Sequence, residues 1–203
     1  MNKQFLHLGC GHLRKDRSTP EFRTDKWDEV RVDIDSNVDP DIEATMTDLS
    51  VIEDKSYDAI YSSHNIEHLY AHEVELALNE MSRVLKDDGF LIITCPDLKS
   101  VAAQVAEGRL VETLYESGKG PISALDILYG LRSDIRDGNY HMAHKVGFTA
   151  QVLYSSLLTF GFKRAVIAEH PATYVLWGIA TKNENDIPDD LVIELKKHTN
   201  LIV

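Results

Sequence analysis

Residues 57–97 read YDAIYSSHNIEHLYAHEVELALNEMSRVLKDDGFLIITCPD, and this stretch decides the fold class. Its start, Tyr57-Asp58-Ala59-Ile60-Tyr61, has the alternation of a strand. Val74, Leu78, Met81 and Leu85 then recur at helical spacing, the stripe of an amphipathic helix. Asp87-Asp88-Gly89 reads as the end of that helix, the glycine suiting a stop. Phe90-Leu91-Ile92-Ile93-Thr94-Cys95 is mostly apolar, as a strand covered on both faces requires, and Pro96 closes it. Strand, helix and strand in this order predict a parallel α/β sheet.

The same alternation extends in both directions. Upstream, Phe5–Leu8 reads as a strand ending in Gly9-Cys10-Gly11, Val30–Ile34 as a second strand and Ile42–Met46 as a weaker third. Downstream, Leu98–Gly147 reads as helical pieces punctuated by Gly108, Gly118, Gly120, Gly130 and Gly138. Thr149–Phe160 reads as a helix capped by Thr149 and stopped by Gly161. Two strands, Lys163–Glu169 and Thr173–Thr181, follow; Asn183–Pro188 reads as a linker and Asp189–Lys197 as a last helix. The expectation is one domain over residues 1–203, with 98–147 inserted as a helical cap.

Composition agrees with one folded domain. The chain has 203 residues, 43% hydrophobic and 27% charged, enough for a core without disulfides or metals. No apolar run approaches the ~20 residues that span a bilayer, and the N-terminus runs straight into a strand, so neither a membrane partner nor a signal peptide is expected. The net charge is −12, and acids surround the short basic runs. That argues against nucleic acid as a partner. Cys10 and Cys95 are expected to be reduced thiols of a cytoplasmic protein.

Several segments carry chemistry. A strand ending in Gly9-Cys10-Gly11 lets a ligand approach bare backbone, at the sheet edge where open parallel sheets bind ligands. Asp33 closes the second strand 22 residues after Gly11, where a carboxylate can accept both hydroxyls of a ribose; Asp35 is a rival for that role. Asp48 and Leu49 could meet an adenine, the carboxylate on its amine and the leucine on its ring, although the same acid suits a turn or a helix cap.

Taken in order, these segments resemble the class I S-adenosylmethionine-dependent methyltransferases. The resemblance runs from residue 4 to residue 97, through the quoted stretch. The compact Gly-Cys-Gly loop, "WDEVRVDID" and "HMAHKVGFTAQVLYSSLLTFGF" are closest to small bacterial methyltransferases often linked to surface-sugar biosynthesis. It implies a Rossmann-like fold, a mainly parallel sheet with its last strand antiparallel, and S-adenosylmethionine as cofactor. Gly9 and Gly11 would flank the methionine part, with Leu8 and Cys10 beside them. Asp33 and Ile34 would lie at the ribose, Asp48 and Leu49 at the adenine. Ser63 and His64 would sit below the sulfonium, with His68 one helical turn on. The reaction implied is methyl transfer to an oxygen or nitrogen of a small, sugar-related acceptor.

The chain departs from the family pattern where a third glycine is usual: His12-Leu13-Arg14 stands there. His12–Asp28, with Pro20 and few apolar residues, predicts a short irregular connection in place of a first helix. Without a full G-x-G-x-x-G, nicotinamide binding is disfavoured.

His141 and His144 lie on the chain's return from the insertion to the helix at Thr149. An imidazole there can take a proton from an acceptor hydroxyl, so both are candidate catalytic residues; a polar surface loop is the plain alternative. Tyr115 and Tyr129 read as half-buried aromatics before substrate platforms. His64-Asn65-Ile66-Glu67-His68 also satisfies the inverted zinc-protease pattern H-x-x-E-H, which on a helix would pair both histidines on Zn²⁺ with Glu67 as base. It directly follows a strand, so no metal site is expected. A zinc hydrolase and an S-adenosylmethionine-binding protein without catalysis are the alternatives to the enzyme.

Overall fold

The structure is a computed structural model that describes residues 2–184, 187, 189, 192–193 and 200–202. The strands are β1 (Lys3–Leu8), β2 (Trp27–Asp33), β3 (Ile42–Glu43), β4 (Tyr57–Ser63), β5 (Leu85–Pro96), β6 (Thr113–Ser117), β7 (Gly120–Ser123), β8 (Arg164–His170), β9 (Val175–Thr181) and β10 (Asn200–Ile202). The α-helices are α1 (Glu73–Val84), α2 (Leu98–Ala106), α3 (Ala124–Tyr129), α4 (Arg132–Arg136) and α5 (Ala150–Thr159).

Eight strands form one sheet in the order β3-β2-β1-β4-β5-β9-β8-β10. The pairs among β1 to β5 are parallel. β9 lies antiparallel between β5 and β8, and β10 is antiparallel to β8. This is the Rossmann-like class I methyltransferase arrangement: order reverses beside β1, and β9 is inserted antiparallel. The reversal opens a crevice at the carboxyl ends of the strands, where ligands of such sheets bind.

Strand alternation sorts the core onto two faces. Leu6, Leu8, Ile60, Leu91 and Ile93 point one way and pack under Leu78 and Met81 of α1 and Leu153 and Leu157 of α5. Phe5, Ala59, Tyr61, Phe90 and Ile92 point the other way. No helix joins β1 to β2. The connection holds a single 3-10 turn, Lys15–Arg17, as its irregular sequence leads one to expect. It still covers the sheet, because Phe22 stacks on Phe5 with centroids 4.2 Å apart and meets Trp27 edge-on at 5.1 Å. One fully buried ring does what an amphipathic stripe would do elsewhere.

Three local expectations change. β2 starts at Trp27, ahead of Val30, because Trp27 belongs to this aromatic cluster. α1 ends at Val84, with Leu85 extended. Gly89 therefore stops no helix; its bare Cα instead lets β5 pass Asp58, whose carbonyl oxygen would lie 2.9 Å from an added Cβ. The insertion is only partly helical. Thr113–Ser123 forms an antiparallel hairpin around Gly118 and Gly120, between α2 and the short α3 and α4. The helix expected over Asp189–Lys197 lies mostly outside the described residues. No helix among the described residues is long and apolar enough to cross a membrane.

Candidate active site

The end of β1 is tied to its neighbours before any ligand is considered. Gly9 and Cys10 N–H groups both donate to Val32 O, at 2.8 and 3.2 Å. Gly9 and Gly11 have φ of +63° and +51°. The two glycines serve different purposes. A Cβ at Gly9 would fall 2.1 Å from Asn65 Oδ1, whereas nothing stands within 4 Å of one at Gly11. Gly9 makes room for Asn65, which donates to Leu8 O at 3.0 Å and Ser63 O at 2.9 Å and so clamps the ends of β1 and β4 together. Gly11 leaves the loop open to a ligand.

Asp33, at the end of β2, stiffens the loop. Its Oδ2 accepts from Gly11 N–H at 2.7 Å and its Oδ1 from Asp35 N–H at 3.0 Å. Each oxygen keeps a second lone pair for a ribose hydroxyl. Asp35 is turned to its own loop, accepting from the backbone and side chain of Asn37. Ile34 is 54% exposed beside Asp33, an apolar face fit for an adenine. Asp48 is exposed and accepts from Ser50 N–H at 3.0 Å. Leu49 departs from the expectation: it is fully buried in the core, held by its N–H on Glu80 Oε2 and its carbonyl on Arg83, so its side chain offers no face to an adenine. Buried Cys10 has its thiol pushed up to about 11, mostly by burial.

Beyond β4, Ser63 Oγ meets Thr94 Oγ1 at 2.8 Å. His64 has φ of +55° and its N–H bonds Thr94 O. Ile66–His68 is one 3-10 turn. The long helix that H-x-x-E-H requires is absent here, so His64 and His68 do not pair on a helical face. His64 Nδ1 instead lies 3.2 Å from Glu67 Oε1, and His68 Nδ1 lies 3.2 Å from Ala143 O.

The returning strap of the insertion closes this end. Lys145 and Val146 N–H both donate to Glu67 O, at 2.8 and 3.3 Å. His144 N–H donates to Tyr129 O and its Nδ1 lies 2.8 Å from Ile127 O. Under the strap is a cleft of about 210 Å³. Leu98, Val101, Ile127 and Tyr129 supply its apolar walls, and Glu67, His144 and Lys145 its polar end. Burial lowers the His144 pKa and favours the neutral ring. Burial alone would raise the Glu67 pKa; the His64 hydrogen bond and the nearby imidazoles outweigh it, and the carboxyl sits below its usual range.

The structure gives the two candidate histidines different settings. His144 lines the cleft, whereas His141 is exposed and near enough to Asp35 to help lower its pKa. Tyr129, expected to be half-buried, is 63% exposed at the cleft; Tyr115 packs against Tyr174 as expected. Asn65 escaped sequence reasoning, because its partner Leu8 is 57 residues away and no spacing rule links them.

Residues 6–93, the segment that builds the loop and β4, match a family described as a methyltransferase domain. No curated protein sequence matches the chain. Solved structures share the fold. A SAM-dependent methyltransferase from Archaeoglobus fulgidus is 14% identical, with a TM-score of 0.58 over 88% of this chain and 86% of that one. One from Thermotoga maritima is 16% identical, at 0.55 over 90% and 83%. The Burkholderia thailandensis 1,6-didemethyltoxoflavin-N1-methyltransferase, solved with S-adenosylhomocysteine, is 12% identical, at 0.54 over 90% and 72%. The domain match over residues 6–93, the strand order and the open Gly11–Asp33 loop agree on the class I methyltransferase fold.

Proposed function

We propose that the enzyme methylates an oxygen or nitrogen of a small molecule seated in the cleft, with hydroxylated, sugar-related compounds as the first class to test. The observation that carries this reading is the continuity of the two sites. Asn65 joins the ends of β1 and β4, and Glu67, two residues on, lies at the polar end of the cleft. A cofactor on the Gly11–Asp33 loop and an acceptor under the strap would share one edge of the sheet. A cleft of about 210 Å³ suits a small acceptor, and the Tyr129 ring offers a sugar a flat face. Free, buried Cys10 and Cys95 suit a reducing, cytoplasmic setting.

When bound, S-adenosylmethionine would supply a methyl group on a sulfonium, which an acceptor lone pair would take as the C–S bond breaks and S-adenosylhomocysteine leaves. In this reading the chain's own residues do the rest. Leu8, Gly9, Cys10 and Gly11 form the methionine side of the cradle. Asp33 and Ile34 hold the ribose and adenine, and Asp48 closes the adenine end. Ser63, His64 and His68 line the passage between cofactor and acceptor. The apolar walls keep water out, and His144 orients the reacting atom of the acceptor. Much of the rate comes from in-line placement, which turns a bimolecular step into a unimolecular one. His141, on the cofactor rim, would act on affinity before chemistry.

Calorimetry with S-adenosylhomocysteine and transfer of labelled methyl to a panel of small hydroxyl and amine compounds test this. His144→Ala should lose ~10²-fold or more in turnover with cofactor affinity kept, and His141→Ala should keep turnover. Binding without turnover on any acceptor would favour a non-catalytic binding protein; no binding would refute the reading.

A further inference from the structure

The polar end of the cleft brings Glu67, His68 and His144 together. Nδ1 of His68 and of His144 each faces a backbone carbonyl, Ala143 O at 3.2 Å and Ile127 O at 2.8 Å. Carbonyls only accept, so in each neutral ring Nδ1 carries the proton and Nε2 the lone pair. Glu67 is 1% exposed. Its Oε1 meets His64, but its buried Oε2 has no hydrogen-bond partner among the described residues. One ligand atom each from Glu67, His68 and His144 lie within 4.8 Å of one another, and the two rings stand 4.9 Å apart at 64°. A buried carboxylate oxygen without a donor is costly; a cation held by it and the two imidazoles removes the cost.

We propose that Glu67, His68 and His144 bind one divalent transition-metal ion of the zinc type, with an open position toward the cleft. Two imidazoles and a carboxylate are a known catalytic zinc set, with three protein ligands and a fourth position free. Imidazole nitrogen selects against magnesium and calcium. The outer contacts are already built: each ligating imidazole donates its other N–H to a carbonyl, and His64 supports the carboxylate, the arrangement that orients ligands in metal sites. Bonds of ~2.0–2.1 Å place tetrahedral ligand atoms roughly 3.3 Å apart, so each must move inward by less than about 1 Å. The set differs from the H-x-x-E-H reading: His64 is not a ligand, His144 comes from the distant strap, and Glu67 binds the ion in place of serving as a base. It also reverses the expectation that the chain has no metal ligands. The role of the ion rests on the methyl-transfer reading, although its binding does not: an acceptor hydroxyl at the open position would lose its proton to water and present its oxygen to the methyl group.

Zinc titration of the chelator-treated full chain, against a chromophoric competitor, tests the site. The expected result is one saturable zinc per chain with Kd below micromolar. Binding should weaken 100-fold or more in His68→Ala, His144→Ala and Glu67→Gln, and stay unchanged in the exposed His72→Ala. Cobalt substitution should give tetrahedral visible bands that His144→Ala abolishes. A cooperative thermal melt and an unchanged far-UV circular dichroism spectrum show that each variant is folded; should Glu67→Gln not fold, the two histidine variants decide. No saturable site, or one that survives both histidine substitutions, overturns the proposal. Zinc bound through these residues by a chain that binds no S-adenosylhomocysteine would leave the site standing and remove the methyl-transfer reading.

Discussion

Asp33 and Asp35 look alike in the sequence and differ in what they hold. Asp33 spends one lone pair on Gly11 N–H and one on Asp35 N–H, so its loss frees the loop as well as removing the proposed ribose contact. Asp35 binds only its own turn through Asn37. A charge-assisted hydrogen bond is worth ~1.5–3 kcal/mol, or roughly ten- to a hundredfold in affinity. Asp33→Ala should therefore weaken S-adenosylhomocysteine by at least tenfold in calorimetry, and Asp35→Ala by less than threefold. A larger effect at Asp35 would reassign the ribose contact. The sequence placed a carboxylate at the end of the second strand; only its two backbone partners choose between the rivals.

The strap from Tyr129 to Phe148 depends on one glycine at the element scale. Gly130 has φ of +95°, and a Cβ there would lie 2.0 Å from Met142 O. Gly130→Ala must push away the segment of the strap that carries His144. A non-glycine residue held at such φ costs of order 1–3 kcal/mol, and the displacement adds to it. The melting temperature should fall, and turnover should fall further than cofactor affinity, because the displaced Met142 and Ala143 lead directly to His144 in the cleft. Equal loss of both would show that the two halves of the site are coupled through this turn. The glycines of the insertion were visible as punctuation, but the sequence could not say which met open space, as Gly118 and Gly138 do, and which met a carbonyl.

For the whole molecule, burial sets the pH range. Burial raises the Cys10 thiol from 9.0 to about 11 and also raises Tyr57 and Tyr61. A raised acid keeps its proton in the folded state after the unfolded chain has lost it, so stability falls as pH climbs above 9. Glu80 is lowered first by its hydrogen bond from Arg83. Asp126, which burial would raise, is lowered by Arg132 and Ser123. Their contribution is complete above the unfolded values of 4.5 and 3.8 and is lost as pH falls through the folded ones. Urea denaturation should show lower stability at pH 10.5 than at pH 9, and lower at pH 3 than at pH 5. A rise toward alkali would contradict the burial of the thiol and phenols, and a rise toward acid the hydrogen bonds that hold the two carboxylates.

The sequence by itself determined β1 to β5, β8 and β9 of the main sheet, the amphipathic α1, the Thr149 cap and the order of the segments at the strand ends. Those features are written in spacings of two to four residues, and each is satisfied within its own element or by the next one in the chain. Tertiary structure alone decided that Phe22 replaces a helix over Phe5, that Asn65 fills the space above Gly9, that Leu49 faces the core, and that His144 and His141 part company. His68 and Ala143 are 75 residues apart, and no local periodicity encodes a contact of that range. The convergence of Glu67, His68 and His144 exists only because the strap folds back on the end of β4 and two backbone N–H groups find the Glu67 carbonyl.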